Sequence, residues 1–102
     1  MTNKKENYFQ EKDALLKETL QKLKPDEVSI HVLKDIYLIS NYEILVIEKI
    51  LERKTNREIA DELDRNRPAI DNLINKSILK KLNVSSKFKL IDFVQSKLGL
   101  DI

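Results

Sequence analysis

Residues 55–82, TNREIADELDRNRPAIDNLINKSILKKL, constrain the fold more than any other stretch of the chain. Thr55 and Glu58 stand three apart ahead of an apolar run. That is the spacing of a capping box, in which each side chain takes up the other's free backbone N–H. Ile59, Ala60 and Leu63 then recur at helical spacing, leaving Arg57, Glu58, Asp61 and Glu62 mostly on the wet side. The pattern breaks at Asp64-Arg65-Asn66-Arg67. Asn66 can cap a second helix, and Pro68 fits the first turn, where its missing N–H costs nothing. The second helix carries Ile70, Leu73, Ile74 and Ile78 on one face. A short helix, a tight turn and a longer helix with a polar outer side make a helix-turn-helix pattern.

The second helix contains a conflict. Continued as an ideal helix past Ile74, it turns Leu79 outward and Lys81 inward. A local bulge or an early helix end would repair this.

The rest of the chain reads as helix joined to this unit. Residues 1–6 are polar and expected to fray. From about Asn7 to Lys24, Phe9, Leu16, Leu20 and Leu23 fall near one helical face, and Pro25 ends the run. Asp26 can cap the next segment, VSIHVLKDIYLI. Its apolar positions fit either period, but with no partner strand evident elsewhere the expectation is helix. Ser40 and Glu43 form a second capping box, and Ile44, Ile47, Ile50 and Leu51 give the helix behind it a buried stripe. Asn83 suits a left-handed exit from the second helix of the pair. Ser86 caps a final helix with Leu90, Ile91, Val94 and Leu98 on one face, ended by Gly99. The expected architecture is all-α: a tri-helical helix-turn-helix core with a C-terminal fourth helix over residues 39–102, and an N-terminal helical extension over residues 1–38.

At 102 residues the chain has room for one domain and an added arm. It has no cysteine, hence no disulfide framework and no thiolate metal site, and no long apolar run follows its Lys-rich start. These features favour a cytoplasmic location. A lone histidine (His31), no cysteine, no Gly-rich loop and no carboxylate pair in a plausible cleft argue against a catalyst, a metal or a cofactor. The net charge of +2 conceals an uneven distribution. Between Arg65 and Lys89 stand seven bases and one acid, Asp71. A basic stripe that coincides with the second helix of the pair is an electrostatic footprint for nucleic acid.

From Ile39 to about Leu100 the sequence resembles the LuxR-type (GerE-like) helix-turn-helix domain of bacterial transcription regulators. The family's L-T-x-x-E opening is matched by Ile39-Ser40-Asn41-Tyr42-Glu43. Its (N/T)-K-E-I-A-x-x-L run is matched by residues 56–63, NREIADEL, and its K-L-G-V by Lys81-Leu82-Asn83-Val84. The sequence departs from the family in the second helix. Where relatives carry T-V-K-x-H, this chain has Ala69-Ile70-Asp71-Asn72-Leu73, so an acid replaces the expected base. About one residue more than usual separates Ile70 from Leu82. The resemblance implies a transcription regulator that binds duplex DNA as a dimer, with the last helix commonly in the dimer contact.

The helix over about 67–80 is expected to enter the major groove. Arg67, Asp71, Asn72, Asn75 and Lys76 are the candidates for base reading, since the planar forks of Arg and Asn match guanine and adenine edges. Lys54, Arg57, Arg65, Lys80 and Lys87 are the candidates for phosphate contact. Phe88 and Phe93 lie off the apolar face of the last helix and are candidates for a symmetric dimer contact. The competing expectation is that the N-terminal helix covers them within one chain. Two other functions fit a helix-turn-helix. One is contact with a protein such as RNA polymerase, a sigma factor or another regulator. The other is DNA binding in phage or plasmid packaging or replication.

Overall fold

The computed structural model describes residues 4–101, and every regular element among them is helical. Helix α1 spans Lys4–Lys22, α2 Val32–Tyr37, α3 Asn41–Leu51, α4 Asn56–Glu62 and α5 Arg67–Leu73. A π-helical turn, Ile74–Ile78, joins α5 to α6, Leu79–Leu82, and α7 spans Lys87–Leu98. Helix α1 begins ahead of the expected Asn7; the first three residues of the expected frayed start lie outside the described residues. No helix among the described residues is long and apolar enough to cross a membrane.

The capping residues act as their side chains dictate. Ser40 Oγ accepts from the Glu43 N–H at 3.1 Å, and the Glu43 carboxylate returns a bond to the Ser40 N–H at 2.9 Å. Thr55 and Glu58 repeat the arrangement at 3.1 and 2.9 Å. Asn66 Oδ1 accepts from the Ala69 N–H and Ser86 Oγ from the Lys89 N–H, closing the starts of α5 and α7. Asn83 and Gly99 both leave their helices in the left-handed conformation.

Between α1 and α3 the expectation of one helix is corrected. Pro25–Glu27 is a short 3₁₀ turn in which Asp26 is internal, so it caps nothing; the Lys24 N–H is taken instead by Glu27 Oε1 at 2.8 Å. Val28 is extended, and helix is confined to Val32–Tyr37. Ser29 Oγ accepts from the His31 N–H at 3.3 Å, a local side-chain bond that competes with helix over these residues. His31 sits exposed at the start of α2.

A single apolar cluster runs through the molecule. Leu16 of α1 and Leu33, Ile36 and Tyr37 of α2 join Ile44, Ile47 and Ile50 of α3, Ile59 of α4, Ile70 of α5 and Leu90 and Val94 of α7. Residues 1–38 and 39–102 thus contribute to the same core. The π-helical turn resolves the conflict of the second helix. It absorbs one residue without a matching rotation, so Ile74, Ile78, Leu79 and Leu82 are all buried while Lys80 points outward.

The two phenylalanines of α7 part company. Phe88 is 80% exposed, whereas Phe93 is 7% exposed. The Phe93 ring meets the edge of the Tyr37 ring with centroids 5.8 Å apart at 81°. Tyr37 is in turn held by α1, its hydroxyl donating to Asp13 Oδ1 at 2.7 Å. Burial and then this bond push the Tyr37 hydroxyl well above its ordinary pKa. The expectation of Phe93 as a dimer contact is therefore corrected, because the N-terminal 38 residues cover it, chiefly through Tyr37.

Candidate nucleic-acid interface

Helices α4 and α5 are joined by a turn that the backbone closes tightly. Asp64 takes a left-handed φ of 54°, which a short polar side chain tolerates, and the Arg65 N–H reaches back to the Ala60 carbonyl at 2.8 Å. This return fixes the direction in which α5 leaves. The outer side of the rod formed by α5, the π-helical turn and α6 then presents Asn72, Asn75, Lys76 and Lys80. All four are exposed, and none makes a hydrogen bond or ion pair among the described residues. Arg57, on α4, is exposed and equally free.

Lys54, Asp71 and Lys87 are instead engaged by other parts of the chain. Lys54 Nζ lies 2.7 Å from Glu62 Oε2 and 3.6 Å from Glu52 Oε2, and Lys49 binds the other Glu62 oxygen at 2.9 Å. The hydrogen bond from Lys54 and then that from Lys49 hold the Glu62 carboxyl below its ordinary pKa, while Glu62 raises that of Lys54. Lys54 is thus engaged within the chain, its charge already met by two carboxylates. Arg65 is exposed, with its guanidinium 5.4 Å from the centre of the Tyr42 ring, a cation–π contact.

Asp71 and Lys87 turn out to be linked. Lys87 Nζ donates to Asn56 Oδ1 at 2.7 Å and to the Lys54 carbonyl at 3.4 Å. Asn56 Nδ2 donates to Asp71 Oδ1 at 2.6 Å. The second Asp71 oxygen lies 3.7 Å from Arg67 Nε, one turn earlier on α5. Because lysine can only donate and a carboxylate only accept, the amide of Asn56 has one orientation that serves both. The relay joins the start of α7, the start of α4 and the second turn of α5. Asn56 was not among the expected site residues, and no local signal marks it, since its partners lie 15 and 31 residues away.

Sequence expectation thus divides in two. Asn72, Asn75, Lys76, Lys80, Arg57 and Arg67 are brought to the exposed side of the helix pair, whereas Lys54, Asp71 and Lys87 are engaged by other parts of the fold. Phe88 is exposed beside Lys87 and Lys89 at the start of α7. Among the described residues no group of three His, Cys, Asp or Glu side chains could hold a metal ion. Compared with protein-family models, with curated proteins and with solved structures, the chain matches none.

Proposed function

We propose that the protein is a LuxR-like, sequence-specific DNA-binding transcription regulator of the cytoplasm that places α5 and its π-helical continuation in the major groove. The observation that carries this reading is the exposed, unpartnered row Asn72, Asn75, Lys76 and Lys80 on the helix behind the tight α4–α5 turn. Asn amides supply the paired donor and acceptor that an adenine edge takes, and Lys76 and Lys80 supply cations for guanine edges or phosphates. Arg57 and Arg65 flank the row from α4 and from the turn. Exposed Phe88 supports association of two copies through the start of α7, which would set two such helices on successive half-sites.

A second reading is contact with a protein such as RNA polymerase, a sigma factor or another regulator. It is favoured by the pairing of Lys54 with Glu62 and Glu52 and by the carboxylate of Asp71 on α5, both of which lower the positive charge available to phosphates. Binding to random genomic duplex fragments under a salt titration, with sequencing of what is retained, separates the two. Retention of a shared sequence and a steep loss of affinity with salt supports DNA reading. No retention at low salt favours protein contact.

A further inference from the structure

An acid on a helix that approaches phosphates is repelled by them, so Asp71 needs a role that outweighs the repulsion. Its two oxygens are used differently. Oδ1 is anchored by Asn56 at 2.6 Å, and Asn56 is itself held by Lys87 at 2.7 Å. Oδ2 faces Nε of Arg67 at 3.7 Å, four residues earlier on the same helix. An exposed ion pair between two free side chains contributes little. Here one partner is already fixed from two other helices, so only the Arg67 side chain has to be ordered.

We infer that Asp71 is a positioning residue that aims the Arg67 guanidinium at a guanine in the major groove. This rests on the DNA-reading function proposed above. With Nε facing the carboxylate, the far edge of the guanidinium is left free and points away from Asp71. That edge carries two parallel N–H donors, the fork that matches guanine N7 and O6. Arg67 is the first residue of α5, where side chains of a groove-entering helix meet base edges. When DNA excludes water from this end of the helix, the attraction between Asp71 and Arg67 strengthens, which favours the aimed rotamer in the complex.

The test compares the whole chain with Arg67→Lys and Asp71→Asn. Asp71→Asn keeps an oxygen to accept from Asn56 and removes the charge that faces Arg67. Arg67→Lys keeps the cation, removes the fork and changes an exposed side chain. Each protein selects duplexes from a random-sequence library. The selected guanine is then replaced by 7-deazaguanine, which lacks the N7 acceptor. For the wild-type chain the replacement is expected to weaken binding about 5- to 150-fold. In both variants that penalty should shrink toward unity at the same base pair, with the salt dependence of binding retained. Four results overturn the inference while leaving DNA binding intact: no selected guanine, a guanine unaffected by the replacement, an undiminished penalty in Arg67→Lys, or an Asp71→Asn variant whose affinity changes equally for all sequences. Failure of the wild-type chain to bind any duplex overturns the DNA-reading function itself.

Discussion

Lys81 Nζ lies 2.7 Å from Glu43 Oε1, joining α6 to the first turn of α3 across 38 residues of sequence. The same ammonium donates to the Leu38 carbonyl at 3.1 Å, where the chain leaves α2 in a left-handed conformation. The other Glu43 oxygen accepts from Ser77 Oγ at 2.6 Å, inside the π-helical turn. Glu43 is 3% exposed, the one charged residue buried among those described. Its carboxylate therefore joins the capping box of α3 to the π-helical turn and to α6. Burial alone would raise its pKa, but hydrogen bonds from Lys81, the Ser40 N–H and Ser77 outweigh it and hold the group below its ordinary 4.5.

A pH dependence follows from the sign of that shift. A carboxyl whose folded pKa lies below its unfolded value stabilises the fold above the unfolded value. The contribution is lost as pH falls through the folded one. Glu58 and Glu62 are lowered too, by the Thr55 backbone N–H and by Lys54 respectively, so all three act in one acid window. Urea midpoints should be level near neutrality and fall from about pH 5 downward. Glu43→Gln should cost about 1–3 kcal/mol at pH 7 and flatten part of the acid slope. A variant with wild-type stability at pH 7 would show that the buried carboxylate is dispensable.

The π-helical turn leads to an unusual expectation for a deletion. Removing Lys76 lets residues 67–82 form an unbroken α-helix that still directs Leu79 and Leu82 inward. Stability should fall by about 1 kcal/mol, the worth of the Ser77 bond to Glu43. By contrast, inserting an alanine after Lys76 should expose Leu79 and cost about 1.5–3 kcal/mol. Denaturant titrations of the two variants decide between this account and one in which the bulge has no bearing on the packing. If the deletion costs more than the insertion, the turn does not absorb an extra residue as described.

The two phenylalanines of α7 should respond oppositely. Phe93→Ala removes a buried ring from Tyr37 and should cost about 3–5 kcal/mol in thermal or chemical unfolding. Phe88→Asp touches no core residue and should change stability by no more than about 0.5 kcal/mol. If two copies meet through the start of α7, sedimentation should show Phe88→Asp dissociating at concentrations where the wild-type chain is paired. An unaltered sedimentation profile excludes Phe88 from any such contact.

Much of this was legible because it is local. The caps at Ser40, Thr55, Asn66 and Ser86, the left-handed exits at Asn83 and Gly99, and the buried stripes each depend on residues within a few positions of one another. The angular mismatch of Leu79 and Lys81 even marked this helix as departing from the ideal, by a bulge or an early end, and the structure shows the bulge. What could not be read were contacts across the chain. Phe93 sits off the Leu90–Val94–Leu98 stripe, and nothing near it in sequence announces Tyr37. Lys54 and Lys87 counted as available cations because Glu62 and Asn56 lie on a neighbouring helix face. The 28–31 segment failed for a different reason: its apolar pattern fits two periods, and the Ser29 side chain settles it locally as neither.

The division of cations into free and engaged leads to the last prediction. Binding of duplex DNA should weaken with salt, and each phosphate contact removed should lower the log–log slope by about 0.9. Arg57→Ala and Lys80→Ala remove exposed cations with no partner among the described residues, so each should flatten the slope. Lys54→Ala should leave the slope nearly unchanged, because the Lys54 ammonium is held between Glu62 and Glu52. Lys87→Ala should act differently again. It releases Asn56, loosens the anchor of Asp71 and is expected to reduce sequence discrimination more than overall affinity. The measurement is a set of binding isotherms at four salt concentrations for the wild-type chain and each variant. Equal slope changes for Lys54→Ala and Lys80→Ala would contradict the assignment, since only one of those charges stands free at the exposed side of the helix pair.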